Sequence, residues 1–382
     1  MCGIVAYIGH KEAYPILIKG LQRLEYRGYD SAGVMLFDGN NLKVCKTKGK
    51  VSNLEELCAT NITTNGSIGM GHTRWATHGE PSDKNAHPHL SASGKLAMIH
   101  NGIIENYYQL KQELLQKGYQ FKSDTDTEVL LNFIDEIKEN NHCSLEEAVR
   151  IALKRVTGAY VILLIEQDAP DTILAARKGS PLVIGVGKGE HFLGSDASPM
   201  LEYTKEVVYV NDYELAIIRP DELILKNLGN EVLTPYVQKL DIELAAIEKG
   251  GFDHFMLKEI YEQPQAIQRT LDGRIQEGLV HPEAFGKHAL DILAKVKHVQ
   301  IIACGSSYNA GLVCKYWLED IAKIPCNVEV ASEYRYRNPL ILDDTLLITI
   351  SQSGETADTI EALDVAKKIN KKVKKTTPPL SS

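Results

Sequence analysis

The feature that most constrains the fold of this sequence is a change of pattern along it. Up to about residue 225 the chain contains many short apolar runs of strand length, separated by Gly and Asn turns. So many strands with few helices predict stacked, mostly antiparallel sheets between helices. From about residue 285, strand-length runs alternate with helical spacing, which predicts a parallel α/β sheet. The 382 residues therefore divide into a domain at 2–225, a helical linker at 226–284, an α/β unit at 285–370 and a tail at 371–382.

The spacing of apolar residues predicts helices in both parts of the chain. In the first part they cover 13–24, 125–138 and 145–156, with Ser144 and either Asp124 or Thr125 as N-caps. In the second part the predicted helices are 241–249, 288–296, 307–322 and 355–369, and the strands are 299–303, 327–330 and 345–350. The tail follows a lysine-rich stretch and contains two adjacent prolines, so we expect it to be atypical and frayed.

Composition and charge exclude several classes of protein. A net charge of −8 argues against a nucleic-acid-binding chain, which needs a basic face. The 7 cysteines are scattered without a CxxC pair, which excludes a disulfide framework and a zinc ribbon and fits a reducing compartment. The chain has neither the N-terminal pattern of a signal peptide nor an apolar run near the roughly 18 residues of a membrane helix. These features predict a soluble cytoplasmic protein with no nucleic-acid or membrane partner.

Cys2 is a residue for which chemistry and packing compete as explanations. Removal of Met1 would leave a thiol and a free α-amine on one residue. Because the reference pKa of such an amine is about 7.7–8.0, it can take the thiol proton directly or through a water. Cys2 would then be a nucleophile that needs no histidine partner. Taken alone, a cysteine at this position is more often a small apolar residue that begins a strand, and only the motifs that follow favour the nucleophile.

Five motifs in register resemble the class II glutamine amidotransferase domain, an N-terminal-nucleophile hydrolase that releases ammonia from glutamine. They are residues 2–5 (CGIV), 24–33 (LEYRGYDSAG), 71–79 (GHTRWATHG), 100–102 (HNG) and 123–128 (SDTDTE). The match spans residues 2 to 220. The resemblance implies an α+β fold in which stacked antiparallel sheets lie between helices. It also implies that Cys2 attacks the glutamine amide and forms a thioester.

The resemblance assigns the remaining residues of the glutamine site. The oxyanion hole would consist of the Asn101 side-chain amide and the Gly102 N–H, which are donors of the type that stabilises a tetrahedral oxyanion. Arg74, a bidentate donor, would bind the α-carboxylate of glutamine, and Asp126 would bind its α-ammonium group. The further residues implied are Thr77, His78 and Gly79 in the pocket, Arg27 as a brace of the nucleophile strand, and Trp75 as a gate to the ammonia path.

Alternative explanations exist for some residues of this region. Asp126 can instead be a carboxylate that stabilises the start of a helix. A metal site is suggested by His72, His78, His87 and His89. No carboxylate or cysteine at ligand spacing completes such a site, and Pro88 stiffens the turn. We therefore predict no metal and no cofactor.

Two Ser-rich turns each follow a buried strand of the predicted parallel sheet. Residues 299–311 and 346–359 both have the pattern of a strand, a turn with hydroxyl groups and a helix. Because such turns place N–H groups and a helix N-terminus at the carboxyl edge of the sheet, they suit a phosphate. A single turn of this kind is usually only a helix N-cap, whereas two of them favour a binding site.

The two turns resemble those of a sugar isomerase (SIS) domain, which binds phosphosugars. The specific motif is residues 351–356 (SQSGET), and residues 304–307 (CGSS) match the first loop. The resemblance implies a partial SIS domain with a parallel sheet. Within it, the phosphate would be bound by Ser351, Ser353 and Thr356, and the sugar by Ser307 and Gln352.

A class II glutaminase joined to a SIS domain resembles the glutamine–fructose-6-phosphate aminotransferase family, the isomerizing enzymes that make glucosamine 6-phosphate. The resemblance implies glutamine and fructose 6-phosphate as partners, an internal path for ammonia, and a homodimer in the family. Family members continue through the rest of this SIS lobe and a second one, so we expect a C-terminally truncated chain whose glutaminase half is complete. Two other functions stay open: a remnant that only hydrolyses glutamine, and a phosphosugar-binding or interaction fragment.

Overall fold

The computed structural model of the chain describes residues 2–61, 65–75, 79–240, 250–276, 278–282, 289–352, 354 and 356–369. The chain divides into two compact units, Met1–Gly250 and Gly251–Ser382. The helix predicted at 241–249 and the tail predicted at 371–382 lie outside the described residues.

An eight-stranded antiparallel sheet forms one layer of the first unit. Its strands are β1 (Gly3–Ile8), β2 (Ser31–Phe37), β3 (Leu42–Lys48), β4 (Ile68–Arg74), β9 (Val183–Val186), β10 (His191–Gly194), β11 (Glu206–Tyr209) and β15 (Val237–Lys239). They are ordered β15–β11–β9–β10–β1–β4–β2–β3. Strand β1 therefore lies inside the sheet, and β10 and β4 pair with its two edges.

A seven-stranded antiparallel sheet forms the second layer. Its strands are β5 (His89–Leu90), β6 (Leu96–Ile104), β7 (Gly158–Glu166), β8 (Ala169–Lys178), β12 (Glu214–Arg219), β13 (Glu222–Asn227) and β14 (Val232–Leu233). They are ordered β14–β13–β12–β8–β7–β6–β5. Alternate residues of β6 face opposite sides, as a strand requires. Ala97 and Ile99 pack in a core shared with the first sheet, whereas Leu96 and Met98 pack in a core shared with helices.

Helices cover the outer faces of both sheets. They are α1 (Ala13–Leu24) and α2 (Val51–Asn61) on the first sheet, and α3 (Tyr107–Gln116), α4 (Asp126–Asn141) and α5 (Leu145–Leu153) on the second. The side chains of Thr125 and Ser144 accept hydrogen bonds from Glu128 N–H and Glu147 N–H, so each caps the helix that follows it. The predicted stack of antiparallel sheets between helices is therefore confirmed, and Thr125 rather than Asp124 is the N-cap of α4.

The second unit contains a small parallel sheet. The described elements of this unit are α6 (Phe255–Leu271), β16 (Ile275–Gln276), β17 (Leu279–Val280), α7 (Ala289–Leu293), β18 (His298–Ala303), α8 (Gly305–Asp320), β19 (Cys326–Val330), α9 (Ala331–Tyr336), β20 (Thr345–Ile350) and α10 (Ala357–Ile369). The sheet order is β19–β18–β20, with both pairs parallel. A helix follows each of these three strands, so the predicted α/β pattern is confirmed.

The sheets of the first unit extend beyond the boundary predicted at residue 225. Strand β13 continues to Asn227, β14 pairs with β13, and β15 pairs with β11. The predicted helical linker at 226–284 therefore contains strands as well as α6. Strands β14 and β15 have two and three residues, too few to show an alternating pattern in the sequence.

Candidate active site at the start of the first strand

The pairing of β1 with β4 places Cys2 beside Trp75. Gly3 lies opposite Thr73, and Gly3 N–H donates to the Thr73 hydroxyl at 3.1 Å. A Cβ at Gly3 would lie 2.5 Å from that hydroxyl oxygen, so only glycine allows this close approach. One residue before Gly3, the Cys2 Sγ accepts a hydrogen bond from Trp75 N–H at 3.1 Å. The thiol is half-buried at the end of the strand.

The surroundings of Cys2 favour a protonated thiol. Burial raises the pKa of the Cys2 thiol, and this effect exceeds the opposing effects of Trp75 N–H and the positive charge of Arg74. A nucleophilic thiolate therefore needs a base that removes the proton in step with attack. The α-amine that removal of Met1 would expose is such a base, on the same residue as the thiol.

Asn101 approaches Cys2 from the second sheet. On β6, Asn101 has the same parity as Ala97 and Ile99, the residues that face the first sheet. Its Nδ2 donates to the Cys2 carbonyl at 3.1 Å. The neighbouring Gly102 has φ +127°, and a Cβ there would lie 2.1 Å from the Ala159 carbonyl oxygen, so this backbone conformation requires glycine. The Asn101 amide donor thus lies next to Cys2, and the residue that follows it in the strand must be glycine.

Two charged residues proposed to bind glutamine are both buried. Arg74 ends β4, and its guanidinium donates to the Gly79 carbonyl at 3.0 Å. Gly79 has φ +76°, and a Cβ at this residue would lie 2.7 Å from the Asn85 side chain. Asp126 begins α4, and its Oδ2 accepts a hydrogen bond from Ile104 N–H at 2.8 Å, two residues beyond Gly102. The helix start and the β6 segment that carries Asn101 are therefore joined directly.

Arg27 is linked to the start of β1, and the Trp75 ring lies beside Gly28. Arg27 donates to the Ser195 carbonyl at 3.2 Å. The Ser195 hydroxyl accepts from Ile4 N–H, and Ser195 N–H donates to the Ile4 carbonyl. Arg27 is therefore connected to β1 two residues beyond Cys2. The Trp75 side chain is 54 % exposed, and a Cβ at Gly28 would lie 2.8 Å from its ring. Of the predicted site residues, Thr77, His78 and Ser353 lie outside the described residues.

Sequence reasoning missed two buried residues of this region. Asn85 accepts from Asp124 N–H at 2.9 Å and donates to the Glu80 carbonyl at 3.0 Å, which ties the segment after Arg74 to the loop before α4. His72, considered only as a metal ligand, lies 2.8 Å from Asn101 through its Nε2. The alternation of His72 and Arg74 on one strand face was the available signal for His72, whereas Asn85 lies in a polar loop without periodicity.

The histidines of this region form a packed cluster. The rings of His72 and His87 stack with centroids 4.3 Å apart, and His87 meets His89 edge-on at 4.9 Å. His87 Nδ1 accepts from the His100 backbone N–H at 3.4 Å. Within the described residues, no group of three or more His, Cys, Asp or Glu side chains is arranged to hold a metal ion.

In the second unit, the described residues predicted to bind the sugar phosphate follow the carboxyl ends of β18 and β20. These strands pair in register from His298 and Thr345 to Ala303 and Ile350, so the turns that follow them are adjacent. The Ser351 hydroxyl accepts from Gly354 N–H at 3.1 Å and lies 3.1 Å from the Thr356 hydroxyl. Gln352 is exposed in the same turn.

Ser307 lies in the other turn, within the first turn of α8. This helix starts at Gly305, two residues earlier than predicted, and Gly305 has φ +56°. Two half-buried hydroxyls, Ser307 and Ser351, thus lie at one edge of the parallel sheet.

Two family models match the chain, one in each unit. Residues 58–218 match the model described as a glutamine amidotransferase domain, and residues 292–374 match the SIS domain model.

Among the described residues, no helix has the length and apolar character to cross a membrane.

Curated relatives with the name glutamine–fructose-6-phosphate aminotransferase (isomerizing) match nearly the whole chain, among them the proteins of three organisms. The one from Chlorobaculum tepidum is 53% identical over 372 residues, and the one from Bacteroides thetaiotaomicron is 54% identical over 371; each match covers 96% of this chain and 60% of the relative. The one from Caldanaerobacter subterraneus is 48% identical over 377 residues, 98% of this chain and 61% of the relative. The chain thus spans about 60% of the length of the curated relatives it matches.

Solved structures support the fold. A glutamine phosphoribosylpyrophosphate amidotransferase from B. subtilis has a TM-score of 0.53 at 23% identity, covering 86% of this chain and 65% of that one. A structure titled as the allosteric regulatory enzyme of purine biosynthesis has a TM-score of 0.53 at 24% identity, covering 92% of this chain and 69% of that one. These likenesses concern the fold alone.

Proposed function

Since the chain belongs to the family of glutamine–fructose-6-phosphate aminotransferases over the residues it shares with them, we propose that its first unit hydrolyses glutamine and its second binds fructose 6-phosphate. In the family reaction, the ammonia from glutamine and fructose 6-phosphate yield glucosamine 6-phosphate and water. The 7 cysteines are free in the structure, which fits our proposal that this chemistry takes place in the reducing cytoplasm.

The observation that carries the glutaminase proposal is the meeting of a thiol and an amide donor from two different sheets. Trp75 N–H holds the Cys2 sulfur at 3.1 Å, and the Asn101 Nδ2 lies 3.1 Å from the Cys2 carbonyl oxygen. An amide substrate whose carbonyl carbon reaches the sulfur would place its oxygen near the Asn101 amide. Such a donor stabilises the negative charge that develops on that oxygen.

The reaction we propose has two halves. In the first, the α-amine of Cys2 takes the thiol proton, a bond forms between sulfur and the amide carbon, and the carbonyl oxygen becomes negatively charged. Collapse of this intermediate breaks the carbon–nitrogen bond, and the nitrogen leaves as ammonia after receiving the proton. In the second half, water attacks the thioester and releases glutamate, which regenerates the thiol.

Substrate orientation would come from the two buried charges. Arg74 can form a bidentate pair with the α-carboxylate of glutamine, and Asp126 can accept from its α-ammonium group. Both side chains are held by backbone groups, at the Gly79 carbonyl and the Ile104 N–H. Their positions are thereby set before substrate binds, which reduces the entropy lost on binding.

The second unit would hold the sugar phosphate between its two turns. A phosphate at the edge of the sheet would receive hydrogen bonds from the hydroxyls of Ser351 and Thr356 and from the N-terminus of α10. Ser307 and Gln352 would contact the sugar hydroxyls. Support for this assignment comes from the Ser351 Oγ and Thr356 Oγ1 atoms, which lie 3.1 Å apart and could therefore both bind one phosphate group.

The test of the glutaminase proposal is glutamate release by the purified chain and by its Cys2→Ala variant. We expect the substitution to lower the rate at least about a thousandfold, because the proposed reaction uses the Cys2 thiol as its nucleophile. Cys143→Ala is the matched control, since this half-buried cysteine lies between α4 and α5 in the helix layer. Equal rates in the Cys2→Ala variant and the unmodified chain would contradict the proposal.

A further inference from the structure

The orientation of the Asn101 amide decides what the neighbouring site presents to a substrate oxygen. A side-chain amide has a donor end and an acceptor end of nearly the same shape. With Nδ2 towards Cys2 the site offers N–H groups, whereas with Oδ1 towards Cys2 it would repel a developing negative charge. The two orientations differ only by a 180° rotation of the amide group, so hydrogen bonds to neighbouring groups must select between them.

We propose that His72 is a positioning residue that holds the Asn101 amide with its donor end towards Cys2. This inference rests on the proposed hydrolysis of glutamine, for which the amide would be the oxyanion donor. His72 itself is placed behind the amide, on β4, and acts through Asn101 rather than on substrate.

The hydrogen-bond partners of His72 fix its own donor. Its Nε2 lies 3.1 Å from the His100 backbone carbonyl oxygen and 2.8 Å from Asn101 Oδ1. A backbone carbonyl can only accept, so Nε2 must carry the hydrogen. The Asn101 atom facing Nε2 must then be the oxygen.

A second partner on the other side of the amide selects the same orientation. The Cys2 carbonyl oxygen, which can only accept, lies 3.1 Å from Asn101 Nδ2. Rotation of the amide by 180° would set oxygen against the Cys2 carbonyl and an NH₂ group against the His72 N–H. Both hydrogen bonds would be lost in a site where Asn101 is only 7% exposed.

The environment of His72 keeps the hydrogen on Nε2. Nδ1 is buried and has no hydrogen-bond partner among the described residues, so a hydrogen there would have no acceptor. The ring is stacked on His87, and His100 and the positive charge of Arg74 also face it. Burial lowers the pKa of His72 to about 3, so the ring stays neutral at physiological pH. A single N–H therefore points at Asn101 across the working pH range.

The test compares two substitutions at this position by the kinetics of glutamine hydrolysis. His72→Met removes the hydrogen-bond donor to the Asn101 oxygen. We expect kcat to fall about 10- to 100-fold, and at most as far as it falls when an oxyanion-hole donor is itself removed. The KM for glutamine should change little, because the amide acts on the charge that develops in the transition state. His72→Gln places an amide N–H near the position of Nε2, and we expect it to restore most of kcat.

A second readout separates this role from a general structural one. The rate at which iodoacetamide alkylates Cys2 does not involve the oxyanion donor, so it should be the same in the unmodified chain and in His72→Met. If alkylation slows in proportion to kcat, His72 acts on the nucleophile or on the fold, and the inference is overturned. It is also overturned if the unmodified chain is active and His72→Met has the same kcat. Absence of glutamate from the unmodified chain would instead reject the proposed function.

A measurement on the unmodified chain tests the inference even if His72→Met does not fold. In ¹⁵N spectra of histidine-labelled protein, His72 should be a neutral ring with the hydrogen on Nε2 between pH 6 and 8, a range that brackets the ordinary histidine pKa of about 6.5. A ring with its hydrogen on Nδ1, or a doubly protonated ring, would overturn the inference. The resonances can be assigned by their loss in His72→Gln.

Discussion

Asp126 combines two roles at the level of the single residue: a carboxylate at a helix start and a proposed partner of the substrate ammonium group. Its Oδ2 accepts from Ile104 N–H at 2.8 Å, a bond that an asparagine can keep through its own oxygen. Asp126→Asn therefore removes the charge and keeps the contact. We expect the KM for glutamine to rise about 10- to 100-fold, the loss of one charge-assisted hydrogen bond.

Glu128 provides the matched control for this substitution. It lies in the same first turn of α4 and accepts from Lys122 N–H at 2.8 Å and from Ser123 N–H at 2.6 Å, so it stabilises the helix start. Glu128→Gln should lower the melting temperature and leave KM unchanged. If Asp126→Asn also leaves KM unchanged and lowers stability by only about 0.3–1 kcal/mol, then Asp126 is a helix-start carboxylate and not a substrate ligand.

The residues of this site differ in how far the sequence could predict them. The resemblance pointed to Cys2, Arg74 and Asn101 because they lie in short motifs, and the structure brings Cys2 and Asn101 into contact. The place of His72 depends on β4 and β6 facing each other across two sheets. No local sequence pattern encodes this contact between His72 and Asn101, so the sequence indicates His72 only as a metal ligand.

At the level of elements, the turn between β20 and α10 can be tested by one hydroxyl. Ser351 Oγ accepts from Gly354 N–H and meets the Thr356 hydroxyl, each at 3.1 Å. Ser351→Ala should raise the Kd for fructose 6-phosphate about tenfold in calorimetry, the loss of one hydrogen bond to a charged group. Thr345→Ala, at the opposite end of β20, should bind like the unmodified chain. If Ser351→Ala binds fructose 6-phosphate as tightly as Thr345→Ala and the unmodified chain do, this turn does not bind the phosphate.

Elements with strong periodicity were predicted from the sequence, and a helix with weak periodicity was not. Helices α1, α4 and α5 carry apolar stripes, and α4 and α5 also have capping side chains. The prediction agrees with the structure to within three residues at either end of each helix. Helix α2 was missed because its buried face is marked by only a few residues, with Val51, Leu54 and Cys58 buried and Leu57 partly buried among the described side chains. Such weakly amphipathic helices are stabilised by tertiary packing rather than by their own propensity.

At the level of the whole molecule, the chain combines two units of different architecture. The first is a four-layer stack of helices and antiparallel sheets, and the second has a parallel sheet with a helix after each strand. The change of pattern along the sequence predicted this division because strand pairing and helix alternation leave different periodicities. The end of the first unit was less predictable, since it depends on where short edge strands such as β15 pair.

The most direct measurement of the central claim follows the amide nitrogen of glutamine. The purified chain is incubated with glutamine labelled with ¹⁵N at the side-chain amide, with and without fructose 6-phosphate, and the products are observed by NMR. Our account predicts that the label leaves glutamine as glutamate forms. It appears as ammonium when the chain only hydrolyses glutamine, and as glucosamine 6-phosphate when nitrogen is also transferred. Label that remains entirely in glutamine under both conditions would contradict the account.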